Sequence, residues 1–211
     1  MAVVALHDSD GTKYPNLALM KLAAWHKARG DTVERFMPIL HSARRGQKDF
    51  TVYSSNVLAH PHGIAQIEKM ARLDLRVDFN QGLDARLIDD AIARRLAALR
   101  WIRFIRMACD HKSQMPEVER VIRLLRAVGG HYREYFCYVL VKDVDDAHDR
   151  VLFLESLNVT PFAQPYRDWE STEPTYMQKC FAGWCNRPPI RKTTPWPEYW
   201  AQRQHGMVAN G

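Results

Sequence analysis

The chain is poor in cysteine: 211 residues hold four, Cys109, Cys137, Cys180 and Cys185, with no C-x-x-C spacing among them. That excludes a disulfide scaffold and a paired-cysteine zinc module, and leaves four free thiols in a reducing compartment as the plain reading. Long apolar runs are missing too. No window approaches the ~18–20 uncharged residues that a membrane span needs. The first ten residues carry no basic segment and include Asp8 and Asp10, unlike a signal peptide, so the cytoplasm is the expected location. The phosphate-loop pattern G-x-x-x-x-G-K-[ST], the dinucleotide fingerprint G-x-G-x-x-G, and the H-E-x-x-H and G-x-S-x-G motifs are all absent. His60-Pro61-His62 is a short histidine pair without a third ligand nearby, which reads as a loop before a helix.

What is present is an ordinary globular composition, 46% hydrophobic and 26% charged, with enough chain for one sizeable domain and a small appendage. A net charge of +6 and a pI near 9.2 admit an anionic partner, nucleic acid included. However, Arg94, Arg95, Arg120, Arg123 and Arg126 are spread over several helices instead of forming one run, which is the pattern of solvated helix faces. A basic nucleic-acid-binding module therefore stands as an alternative function, with steep salt dependence as its signature. A small-molecule ligand is the other partner expected; a membrane is not.

Strand and helix signals alternate along the chain. Apolar runs at 3–7, 32–36, 51–55, 75–80, 101–108, 135–141 and 159–164 read as strands, and the segments between them carry helical periodicity, cleanest in Val118, Val121, Ile122, Leu125 and Val128. Gly30 and the pair Gly129-Gly130 stop helices. Repeated βα units predict an α/β fold with a parallel sheet: a partial βα barrel or curled sheet of about seven strands, short of the eight of a complete barrel. The expected organisation is a small N-terminal βαβ unit over 1–37, a patternless linker at 38–50, the partial barrel over 51–168, and a C-terminal helix and tail over 169–211, frayed after Gln204.

A parallel strand covered on both faces should be nearly all apolar, so polar residues inside the predicted strands are informative. Asp78 and Asn80 share one side of their strand, near its carboxyl end, and Gln81 follows. A buried carboxylate there needs a partner, and Arg103 and Arg106 on the next predicted strand are the two candidates. Later strands end in Asp110, in Lys142, and in Gln164 with Tyr166, Arg167 and Asp168. Ligands of α/β folds bind at the carboxyl ends of strands, which makes Asp78, Asn80, Gln81, Arg106, Asp110, Lys142, Gln164 and Tyr166 the candidate ligand-binding set. Asp84, Asp110 and Asp168 also suit routine helix caps.

The segments Asp78-Phe-Asn-Gln-Gly-Leu-Asp-Ala-Arg-Leu, Tyr138-Val-Leu-Val-Lys, Pro161-Phe-Ala-Gln-Pro-Tyr-Arg-Asp and Phe181-Ala-Gly-Trp-Cys-Asn-Arg resemble the later barrel strands and last helix of radical S-adenosylmethionine (radical SAM) proteins found in bacteria and phages. Residues 2–38 resemble their N-terminal α/β unit. The resemblance implies a partial βα barrel with S-adenosylmethionine held at the strand ends, Asn80, Gln81, Asp110, Lys142 and Gln164 lying around the cavity. It also implies a [4Fe–4S] cluster on a C-x-x-x-C-x-x-C motif, whose thiolates leave one iron open for S-adenosylmethionine. Here the matching blocks are joined by residues 38–50, which hold no cysteine, so the cluster ligands are absent. Two readings follow: a shortened relative without radical chemistry of its own, or an incomplete form of an active enzyme. Loss of the first barrel strand would expose a sheet edge, and the strand at 3–7 is the candidate to cover it.

Overall fold

A computed structural model describes residues 3–7, 24–30, 32–36, 49–52, 56–129, 134–167 and 173–208. By internal contacts the chain divides into two compact units, Met1–Arg106 with Arg123–Arg133, and Met107–Ile122 with Glu134–Gly211. The fold is mixed α/β, its described strand pairs parallel, with two three-stranded sheets and no closed barrel among the described residues.

In the first unit, β1 (Val3–His7) pairs in parallel with β2 (Thr32–Phe36), from Val3↔Thr32 to His7↔Phe36. The intervening helix α1, described over 24–28, closes at Gly30, whose φ of +79° suits a residue without a Cβ. These two strands make a sheet of their own, so β1 does not cover the exposed edge as expected: its ladder is taken up by β2. The second sheet has the order β3 (Asp49–Val52), β4 (Arg76–Phe79), β5 (Arg100–Trp101). The predicted strand at 51–55 thus begins two residues earlier, and 53–55 lie outside the described residues. Helix α2 (Gly63–Arg72) buries Ile67 and Met70, and α3 (Asp90–Ala97) buries Ala93 and Leu96, four residues recurring at helical spacing in the core beside Val52, Val77 and Phe79. Asp89 caps α3 by accepting from the Ile92 N–H at 2.8 Å. Glycine at 63 is a packing requirement, since a Cβ there would lie 1.8 Å from the Val57 carbonyl oxygen.

The single strand expected over 101–108 is two. After Phe79 the chain turns, with the Gly82 N–H donating to Phe79 O, and Gly82 takes φ +88°. The last ladder contact of β5 is Ile102 N–H to Val77 O, and pairing resumes only where the Leu83 N–H donates to Arg106 O at 2.7 Å. Without a neighbour to pair with in between, the strand breaks, and β6 (Phe104–Ala108) joins a different sheet.

That sheet has the order β6, β7 (Glu134–Val141), β8 (Val159–Pro165), with β7 and β8 in register from Tyr135↔Val159 to Val141↔Pro165. Helix α4 (Met115–Ala127) precedes β7; helix α5 (Val144–Ser156) connects β7 to β8 and buries Ala147, Val151 and Leu154. Its Asp143 cap accepts from the Asp146 N–H at 2.8 Å. Where one C-terminal helix was expected there are three, α6 (Tyr176–Cys185), α7 (Pro188–Thr193) and α8 (Trp196–Val208), the last running past Gln204. Pro188, Pro189, Pro195 and Pro197 divide them, because proline fits a first helical turn and interrupts an interior one. Phe181, Trp184, Trp196 and Tyr199 form their shared core.

Both three-stranded sheets bury alternate residues. Phe50, Val52, Val77 and Phe79 are inside in one, Ile105, Met107, Tyr135, Cys137, Val139, Val141, Val159 and Ala163 in the other, while the intervening residues keep partial exposure. The expectation of strands sealed on both faces is therefore corrected: each sheet has a sealed face and a half-exposed one. The free edge of β8 is blunted. Pro161 and Pro165 supply no N–H, and the Asn186 amide both accepts from the Ala163 N–H (2.8 Å) and donates to the Ala163 carbonyl (2.9 Å), standing in for a neighbouring strand. No helix among the described residues is long and apolar enough to cross a membrane.

Candidate functional site

In the first unit the polar strand residue Asp78 meets its partner. Arg106 donates to the Asp78 carboxylate, and both side chains are largely buried, 11% and 13% exposed respectively. Of the two candidate arginines, the other stays in solvent: Arg103 is exposed, with its guanidinium 5.0 Å from the centre of the Phe104 ring. An unpaired carboxylate at this depth would cost several kcal/mol, and the ion pair with its hydrogen bond removes most of that cost. Asn80 donates its backbone N–H to Val52 O at 3.0 Å, and Gln81 is exposed in the turn that follows. Asp84 caps the short helical turn at Ala85–Leu87 and pairs with Arg86, which holds its carboxyl below the usual range.

The second unit holds Asp110, Lys142, Gln164 and Tyr166. The even-numbered residues of β7 and β8 point to the half-exposed face, and along the strands they change character. Phe136, Tyr138 and Phe162 come first, as a cluster with ring centres 5.0 Å (136–138), 5.4 Å (136–162) and 6.0 Å (138–162) apart. Leu140 and exposed Gln164 follow, and at the carboxyl end exposed Lys142 sets its ammonium 5.6 Å from the centre of the Tyr166 ring. No carboxylate among the described residues lies within ion-pair distance of Lys142. Gln178, at the N-terminal turn of α6, donates to the carbonyls of Val141 (3.0 Å) and Lys142 (2.8 Å) and so fixes the backbone that presents the lysine. Asp110 follows β6 and accepts the Leu140 N–H through one oxygen, Oδ1, at 3.1 Å. It is a tie between strand ends, not a helix cap; the cap at His111 is closed by Gln114 instead. Asp168 lies outside the described residues.

Two features escaped the pattern reading. The aromatic cluster had a signal, since 136 and 138 share strand parity; the register with Phe162 did not. Arg150 is the other. It is 1% exposed, pairs with Asp146 at 2.6 Å, and donates to the carbonyls of Cys109 (2.6 Å) and Leu140 (3.0 Å), stapling the ends of β6 and β7 from beneath. Its place beside Ala147, Val151 and Leu154 on one helical stripe was the available sign of burial.

The cysteines were tested as cluster ligands. Burial pushes the Cys109 thiol up to about 11 despite nearby Arg150, and pushes Cys185 up to about 11; Cys137, wholly buried, is raised by the same cause. Iron–sulfur clusters take thiolates, and these three buried thiols would have to give up their protons to the metal. Cys109 and Cys137 neighbour one another where the end of β6 pairs with β7, but Cys180 and Cys185 lie on α6, and no third ligand joins the first two among the described residues. This donor set does not fit a [4Fe–4S] cluster. Among the described residues no group of three His, Cys, Asp or Glu side chains is arranged to hold a metal ion.

The chain matches no family model, no curated protein and no solved structure. Its function is therefore argued from its own residues.

Proposed function

We propose that this chain is a ligand-binding relative of the radical SAM enzymes that performs no radical chemistry on its own, holding S-adenosylmethionine or a related small molecule at the carboxyl ends of β7 and β8. The observation that carries the first half is the cysteine arrangement: four thiols in 211 residues, none in the required triplet spacing, and no group of three metal-ligating side chains gathered among the described residues. Reductive cleavage of a sulfonium needs an electron from a cluster, and these sulfurs are not built to hold one. The second half is supported by the gradation along one face, aromatic rings giving way to Gln164, Lys142 and Tyr166, the mix of apolar wall and few polar groups that characterises small-molecule sites.

Anaerobic reconstitution with iron and sulfide, followed by metal and acid-labile sulfide analysis and incubation with S-adenosylmethionine and a strong reductant, tests this. Iron and sulfide at background levels with no deoxyadenosine formed is the expected result. Stoichiometric cluster with reductive cleavage would overturn it.

A further inference from the structure

We infer that the half-exposed face of β7 and β8 is a nucleoside-phosphate site: the Phe136–Tyr138–Phe162 cluster stacks the base, Asp110 meets the sugar hydroxyls, and Lys142 meets the phosphate. This rests on the ligand-binding reading and narrows its ligand.

Four observations converge. The three rings lie on adjacent strands within 5.0–6.0 Å of one another and keep partial exposure, a platform for a planar ring and not a sealed core. Asp110 spends only Oδ1 on Leu140, and Oδ2 carries no hydrogen bond within the described residues, which leaves an acceptor of the kind that reads ribose hydroxyls. Exposed Gln164 lies two pairs beyond the Tyr138↔Phe162 pair and on the same face, with an amide suited to a base edge. Lys142, four residues beyond Tyr138 or ~13 Å along an extended strand, is a cation with no carboxylate partner, held by Gln178 through the backbone. Ring, hydroxyl acceptor and cation occur in the order base, sugar, phosphate. Of the acids that follow Lys142, Asp143 caps α5 and Asp146 pairs with Arg150, while exposed Asp145 makes no ion pair with the lysine.

The charge also sets this ligand apart from S-adenosylmethionine. S-adenosylmethionine offers the lysine a carboxylate but brings a sulfonium and an ammonium of the lysine's own sign, whereas a phosphate opposes Lys142 with nothing to offset it and gains a charge-assisted hydrogen bond.

Calorimetric titration of the full chain with AMP and UMP, as purine and pyrimidine probes, and with adenosine, ribose 5-phosphate and S-adenosylmethionine tests the assignment. At least one nucleotide should bind, with adenosine and ribose 5-phosphate each about tenfold weaker or more, since either loses one anchor worth at least a factor of ten. Lys142→Met, an exposed substitution, should bring AMP down to the level of adenosine and leave adenosine unchanged; Tyr138→Leu, checked for folding by circular dichroism, should weaken both. Measurable but equal binding of AMP and adenosine, an unaltered affinity of the bound nucleotide for the Lys142→Met variant, or no binding of AMP or UMP at millimolar concentration would each overturn it. S-adenosylmethionine binding more tightly than either nucleotide sinks the ligand class but keeps the ligand-binding reading, which the cluster analysis judges separately. An adenylate oligomer binding more than a hundredfold tighter than AMP also overturns it, in favour of a nucleic-acid surface.

Discussion

The β3-β4-β5 sheet and the β6-β7-β8 sheet are built alike and finished differently. Each is three-stranded, with alternate residues buried and the others half-exposed. In the first, the half-exposed face carries Asp78, whose charge is met by Arg106 from β6 of the other sheet. In the second, buried Arg150 works from the sealed side on backbone carbonyls, and the half-exposed face keeps rings and a lysine with no carboxylate partner among the described residues. The lesson concerns where function can reside. Charges that neutralise one another are committed to the fold, whereas a charge facing outward without a counter-charge is available to a ligand. The edges differ as well: β8 is closed by two prolines and the Asn186 amide, while β3 has no partner on its outer side among the described residues.

Substitutions can sharpen this contrast. The largest effect is expected from the two arginines. Removing either charge alone, Arg150→Met or Arg106→Met, should cost about 3–5 kcal/mol by denaturant unfolding, because a carboxylate or carbonyls lose their partner. The double variants should then diverge. Replacing Asp78 and Arg106 together by apolar residues should recover much of the loss, since the carboxylate and the guanidinium leave together. Replacing Asp146 and Arg150 together should not, since the Cys109 and Leu140 carbonyls stay unpaired. Equal recovery in both would break the comparison.

Next in size is Asn186→Ala, expected to cost about 1–3 kcal/mol by leaving the Ala163 groups unpaired, and to increase self-association in sedimentation velocity as the β8 edge opens. A smaller, pH-linked effect belongs to the second unit. His148 is held below the usual histidine range, chiefly by burial against Phe181 and Trp184 and against the pull of Asp149, Asp145 and Glu155. The unfolded chain therefore binds the proton more readily, so this contribution to stability is complete above about pH 6.5 and is lost as pH falls through the lower folded value. His148→Phe should flatten that acid-side slope in thermal melts at pH 5–7; an unchanged slope would show that His148 does not set it. The smallest effect compares two matched positions, Asp74 and Asn158, each at φ +53° where a helix turns into a strand. Glycine at 158 should stabilise by about 0.5 kcal/mol or less. At 74 the gain should be smaller still, because Asp74 also pairs at the surface with Arg100 at 2.7 Å.

The βα alternation was legible along the chain because hydrophobic periodicity reports local structure directly: β1 and β2 stand where apolar runs placed them, and β4, β7 and β8 within a residue or two. The polar strand ends were legible for the same reason, as was the need of Asp78 for an arginine. The break of the 101–108 run into β5 and β6 was not, because it depends on a turn at Gly82 that removes a neighbour, an event twenty residues away in the chain. Nor was the failure of β1 to border the second sheet, although its grouping with β2 in an N-terminal βαβ unit was expected.

What the sequence by itself determined, then, is everything that follows from near neighbours: helix and strand type, caps such as Asp89 and Asp143, proline breaks between the last helices, and a cysteine set without the triplet a cluster requires. Only the tertiary structure decided which polar residues cancel and which remain open. Pairing Asp78 with Arg106, joining Phe136, Tyr138 and Phe162 across strands, and leaving Lys142 without a carboxylate are consequences of strand register and burial, which bring together groups separated by tens of residues and which no local pattern encodes.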